Sequence, residues 1–216
     1  KEIRKPLIDE MIIAYKFLNR IDRLTPNIKK ILIWGNHEYR FVKYLAEMKS
    51  ELNPFHSDNI LQNIVNGFTH HDRLNKKITT YPPLSSNFVV VNKWYVQYND
   101  LIVAHPKNYS KVALKTATLA VEHFLKRGFN FKALFIGHTH KWGETIHFSI
   151  LTGELGCNCQ AMEYSDNGNT GYSPQSYGYA IVSFNDGILD IDNTRLYRLQ
   201  VLEEGDEGWQ EEVVDL

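Results

Sequence analysis

Short apolar runs constrain this chain most. Lys30-Ile31-Leu32-Ile33-Trp34, Leu101-Ile102-Val103-Ala104 and Ala133-Leu134-Phe135-Ile136 are too brief for helices and lack polar alternation. That is the pattern of strands buried on both faces of a sheet. Each run gives way to a polar turn: Gly35-Asn36, His105 and Gly137-His138-Thr139-His140. After the first turn, Phe41, Tyr44, Leu45 and Met48 recur at helical spacing. After the second, a helix is expected from Ser110 to Arg127, with Ser110 as N-cap and Gly128 as stop. Strands alternating with helices read as an α/β fold.

The remaining segments fit around this frame. Leu7, Ile8, Met11, Ile12, Tyr15, Leu18 and Ile21 define an amphipathic helix that stops before Pro26. Residues 50 to 85 are irregular, punctuated by Pro54, Gly67, Pro82 and Pro83, with a short helix from Ile60 to Val65. Phe88 to Tyr98 reads as a strand that turns at Asn99-Asp100 into Leu101–Ala104. Ser165 to Tyr179 is a Gly, Asn and Ser loop. Tyr179–Phe184 and Ile188–Leu202 form a terminal hairpin turned at Asn185-Asp186-Gly187. No repeat or linker composition divides the chain. The expectation is one α/β domain over residues 1–202 and a solvated acidic tail over 203–216.

Charge and cysteine content narrow the function classes. Among 216 residues the formal charge is −1, which disfavours a globally basic nucleic-acid binder but not a local basic patch. No apolar run approaches the ~18 residues of a membrane span, so the chain reads as soluble. Cys157 and Cys159 make no disulfide framework, which favours a reducing, cytoplasmic compartment. They are too close together to clasp one zinc unaided.

The chemistry lies in the turns. In open α/β sheets ligands sit beyond the carboxyl ends of the strands, so Asn36, His37, His105, His138 and His140 can converge. Imidazoles with an amide or carboxylate oxygen suit divalent transition metals. A single such motif is more simply an ordinary loop residue. All three, each directly after a buried strand, point to a metal site.

In this order and context, Gly35-Asn36-His37-Glu38, His105 and Gly137-His138-Thr139-His140 resemble the third, fourth and fifth motifs of the calcineurin-like metallophosphoesterases. The resemblance implies a β-sandwich flanked by helices, α-β-β-α. It implies a dinuclear site in which Asn36, His105 and His138 bind one ion and His140 the other. His37 corresponds to the histidine that contacts phosphate and protonates the leaving oxygen, and Glu38 would orient its imidazole. The ions implied are Mn, Fe, Zn, Ni or Co, manganese first among them. Two cations ~3.5–4 Å apart clamp a phosphate and lower the pKa of a bridging water, so a metal-bound hydroxide attacks phosphomonoesters or phosphodiesters.

The first two family motifs, Asp-x-His and Gly-Asp-x-x-Asp, do not occur. With Lys1 rather than Met at the start, the expectation is that they lie upstream and that the first strands of the sandwich are missing. Without them the alternatives are a binding or scaffold domain of the same fold, or an inactive fragment. Lys107, Lys111 and Lys115, spaced by four, would form a basic stripe on the helix after His105. A solvated face is the plainer reading and phosphate binding the sharper one. His70-His71-Asp72 read as loop residues, and His123 and His147 as structural. Tyr164, Tyr172, Tyr177 and Tyr179 read as packing, with stacking on a nucleobase as the alternative.

Overall fold

The computed structural model describes residues 7–47, 59–72, 74–158, 175–201 and 209–212. They fall into two compact units, Lys1–Asn92 and Lys93–Leu216. The sequence carries no linker composition at this boundary.

In the first unit, α1 (Leu7–Leu24) has Asp9 and Glu10 in its first turn and Arg23 in its last, complementing the helix dipole. β1 (Lys30–Ile33) pairs in parallel with β4 (Phe88–Val91), Lys30 opposite Phe88 and Ile33 opposite Val91. Between them lie α2 (Asn36–Glu47), α3 (Ile60–Asn66) and the hairpin of β2 (Phe68–Asp72) and β3 (Lys77–Tyr81). Asn59 caps α3 by accepting the Gln62 N–H at 3.0 Å. The core gathers Tyr15, Leu18, Ile64, Val65, Leu84 and Phe88. Burying each large side chain contributes about 1.5–3 kcal/mol. Asp22 then ties three segments: its carboxylate accepts from Lys30 Nζ at 2.9 Å, Ser85 Oγ at 2.6 Å and the Ser85 N–H at 2.9 Å. His70 and His71 lie in strand β2, not in a loop, because they pair with Thr79 and Ile78. Asp72 closes that hairpin by accepting the Leu74 and Asn75 N–H groups.

In the second unit, β5 (Tyr95–Tyr98), β6 (Leu101–Ala104), β7 (Ala133–Ile136), β9 (Ile150–Leu155) and β8 (Trp142–His147) form one sheet in that order. β6, β7 and β9 run parallel, with antiparallel β5 and β8 at the edges. Alternate residues serve different layers. Ile102, Ala104, Leu134, Ile136 and Ile150 join Ala117, Ala120, Val121 and Phe124 of α4 (Lys115–Lys126) on one face. Leu101, Ala133, Phe135 and Leu151 pack on the other face against Leu189 and Leu196. Those two belong to a second sheet of β10 (Tyr177–Asn185), β11 (Ile188–Val201) and β12 (Trp209–Glu212). The unit is thus helix on sheet on sheet, and β6 and β7 are apolar throughout because both their faces are covered.

Other expectations change as well. The strand read as Phe88–Tyr98 is two strands, since β4 hydrogen-bonds to β1 whereas β5 pairs antiparallel with β6. The helix starts at Lys115, not Ser110. Ser110 is used up locally: its N–H donates to Thr116 Oγ1 at 2.8 Å and its Oγ accepts the Val112 N–H. Leu114 then sits in the left-handed region at φ 61°. Lys107 and Lys111 therefore precede the helix and form no helical stripe with Lys115. Part of the segment read as a solvated tail, Trp209–Glu212, pairs with β11. The terminal hairpin matches expectation, with Asp186 and Gly187 both at positive φ.

Candidate metal centre

The carboxyl ends of the parallel strands carry the chemistry. β6 runs directly into His105, β7 into Gly137-His138-Thr139-His140, and β9 into Gly156-Cys157. Register fixes how the first two meet. Ala104 lies opposite Ile136, and the Gly137 N–H donates to Ala104 O at 3.0 Å. A Cβ on Gly137 would stand 3.4 Å from His105 Nδ1, an ordinary contact that shows how close the two turns lie. The His105 and His138 rings have centroids 5.1 Å apart, tilted by 56°. Tyr109 stands edge-on to His138 at 5.3 Å.

Both histidines of the Gly137–His140 turn hold left-handed backbone, His138 at φ 92° and His140 at φ 56°. Non-glycine residues there carry strain of about 1–3 kcal/mol each, a pattern concentrated at functional sites. The turn is stapled on its far side. His140 O accepts the Ser176 N–H at 2.9 Å, Lys141 O accepts the Gly156 N–H at 2.6 Å, and Ser176 O accepts the Cys157 N–H at 2.9 Å. Gly156, at φ 73°, has Ser176 O only 2.5 Å from where a Cβ would be. Gln175 Nε2 lies 3.5 Å from His140 Nδ1 and donates to Cys157 Sγ at 3.1 Å.

Two side chains that the sequence did not single out lie under this turn. Lys141 is 7% exposed and donates through Nζ to Ser110 O at 3.1 Å and to Lys111 O. Glu154 is fully buried on β9. Burial pushes the Glu154 carboxyl up and the Lys141 ammonium down, each opposed by the other's charge. The sequence offers one partial signal for Glu154, a glutamate inside the strand-like stretch Ile150–Leu155 where burial is costly, but not what it would face, and none for Lys141.

In the first unit, Asn36 opens α2 and His37 is exposed in its first turn. Glu38 Oε2 accepts the Gly35 N–H at 2.7 Å, a reach-back contact at a helix start that also suits the dipole. Trp34 stands edge-on to Tyr39 at 5.3 Å. Lys107 and Lys111 are exposed. His123 packs on Trp94 within α4, and His147 lies 3.6 Å from Glu122. Tyr179 stacks on Tyr197 at 5.0 Å. Cys159, Tyr164 and Tyr172 lie outside the described residues.

The donors fit a divalent transition metal in kind: imidazoles side by side at strand ends, on turns that backbone hydrogen bonds hold in place. Among the described residues, no three His, Cys, Asp or Glu side chains gather closely enough to hold an ion by themselves. A family model for calcineurin-like phosphoesterases matches residues 7–142, from the start of α1 to just past Gly137-His138-Thr139-His140. The chain belongs to the calcineurin-like phosphoesterases. No curated protein and no solved structure matches it. Calcineurin-like phosphoesterases act on phosphorylated substrates with divalent metal ions. In this member, β9 to β12 and all of β8 after Trp142 lie beyond the matched span. Among the described residues no helix is long and apolar enough to cross a membrane.

Proposed function

We propose that this chain is a dinuclear metal-dependent hydrolase of phosphomonoesters or phosphodiesters. The observation that carries the reading is the pair His105 and His138, side by side at the ends of adjacent parallel strands in a chain of this family. On the motif resemblance, Asn36, His105 and His138 hold one ion and His140 the other, with manganese first among the candidates. When bound, such ions supply positive charge for a phosphate and lower the pKa of water. His37 donates a proton to the departing oxygen, a contribution of typically 10²–10⁴-fold. Glu38 steadies that imidazole through the start of α2, where its carboxylate already engages Gly35.

The helix-on-sheet-on-sheet layering of the second unit supports the α-β-β-α sandwich. Exposed Lys107 and Lys111, in the segment after His105, favour polyanionic substrates such as nucleotides or nucleic acid. Cys157, a thiol near His140, suits a reducing cytoplasm.

The test is hydrolysis of bis(4-nitrophenyl) phosphate with Mn²⁺. Turnover that EDTA abolishes, that Mn²⁺ restores and that His37→Ala lowers by about 100-fold or more supports the reading. Wild type as inactive as His37→Ala would leave a non-catalytic binding domain of the same fold.

A further inference from the structure

Beside the histidine turns stands an aromatic ring that the proposed hydrolysis does not use. Tyr109 meets His138 in a T-shaped contact with ring centroids 5.3 Å apart, yet the residue is 49% exposed. A tyrosine whose whole task was packing would take most of its ring out of water. The backbone that carries it is anchored. Buried Lys141 donates through Nζ to Ser110 O at 3.1 Å and to Lys111 O, the Ser110 N–H donates to Thr116 Oγ1 at 2.8 Å, and Ser110 Oγ accepts the Val112 N–H at 3.1 Å. An exposed tyrosine on fixed backbone offers a large contact surface at low entropic cost, because only two side-chain torsions remain to be ordered.

The charge around this ring has one sign. Between Asp100 and Glu122 the chain carries Lys107, Lys111 and Lys115 and no acidic residue, and all three lysines are exposed. A single phosphate held at the histidines gives no reason for cations strung from 107 to 115. A strand of phosphates does. Basic side chains on either side of an aromatic ring suit single-stranded nucleic acid, whose backbone follows the charge while a base stacks on the ring whatever its identity. At 5.3 Å from the His138 ring, Tyr109 is close enough for the nucleoside on a phosphate held there to reach it.

We propose that Tyr109 is the base-stacking residue of a nucleotide subsite flanked by Lys107, Lys111 and Lys115, so that the substrates of this chain are phosphodiesters of single-stranded nucleic acid. Their hydrolysis rests on the proposed function; the stacking of the base does not.

Two esters test the subsite in the full chain. The 4-nitrophenyl ester of thymidylate and ethyl 4-nitrophenyl phosphate share charge and leaving group and differ in the nucleoside. The ratio of their kcat/KM values with Mn²⁺ therefore reports the nucleoside and cancels any effect of a Tyr109 variant on His138. Wild type should favour the thymidylate ester by about ten-fold or more, Tyr109→Leu should bring the ratio close to one, and Tyr109→Phe should keep it. In metal-free protein, affinity for a fluorescein-labelled thymidine oligonucleotide, read by anisotropy, should fall about ten-fold in Tyr109→Leu and survive in Tyr109→Phe. It should also weaken as salt rises. A wild-type ratio near one, a ratio unchanged in Tyr109→Leu, or equal oligonucleotide affinity in wild type and Tyr109→Leu would overturn the subsite. Preference for the thymidylate ester without oligonucleotide binding would overturn the single-strand assignment. If neither ester is hydrolysed, the proposed function falls and the oligonucleotide comparison still decides the stacking.

Discussion

The His105 and His138 rings lie 5.1 Å apart because Ala104 and Ile136 are register partners in adjacent parallel strands. Each ring emerges just past a strand whose own side chains are locked between α4 and the second sheet. Neither histidine is part of a hydrophobic core. His105→Ala and His138→Ala are therefore each expected to lower Mn²⁺-dependent phosphodiester hydrolysis by at least about 100-fold. Thermal unfolding of the metal-free protein should move by under about 1 kcal/mol. A large stability loss with unchanged hydrolysis would assign these residues to folding instead.

Asp22 makes the first unit sensitive to acid. Its carboxyl is held below the usual range first by the Ser85 hydroxyl and then by Lys30, against the opposing effect of burial. A folded-state pKa below the unfolded one stabilises the fold above the unfolded value of about 3.9, and that contribution is lost as pH falls through the folded value. Asp22→Asn should cost about 1–3 kcal/mol at pH 7. The difference from wild type should shrink below about pH 4, as read by urea unfolding at pH 7 and pH 3.

The β8–β9 hairpin turns on Phe148 and Ser149, at φ 50° and φ 60°. Such a two-residue turn favours Asn-Gly. Phe148 is 67% exposed, so its replacement sacrifices little burial. The double substitution Phe148→Asn with Ser149→Gly should stabilise by about 0.5–1 kcal/mol and raise the melting temperature. A lower melting temperature would show that the tilted ring contact of His147 with Phe148 outweighs the relief of strain.

Phe124 is the hub of the helix-facing core. Its ring meets Trp94, Tyr95, Phe129 and Phe131 and is 1% exposed. Phe124→Ala should cost about 3–5 kcal/mol. The neighbouring Leu125→Ala, on the exposed side, should cost under about 1 kcal/mol by the same denaturant titration.

What could be read in the sequence follows physical lines. β6 and β7 were legible because strands covered on both faces must be apolar throughout, and the turns after them stood out as polar and imidazole-rich; β1 was legible as a strand, but it is not buried on both faces as its apolar run suggested, since Ile31 is exposed. The Asp186-Gly187 hairpin was legible because its dihedrals demand such residues. The division between β4 and β5 was hidden, since Asn92, Lys93 and Trp94 interrupt an otherwise strand-like run only briefly. The β8–β9 turn escaped notice because it uses Phe and Ser where glycine would be easiest. β12 did too, its Trp209-Gln210-Glu211-Glu212 looking like solvated chain. At the site, the histidines were legible from their place after strands. Tyr109, Lys141 and Glu154 were not, because only strand register and the approach of the 109–114 segment bring them to the turn.

The most direct test of the metal centre is a Zn²⁺ titration of the protein followed through its histidine ¹⁵N imidazole signals. His105, His138 and His140 should shift together as metal is added while His123 and His147, on the same unit, stay in place. No shift at His105 and His138, or equal shifts at His123 and His147, would contradict it.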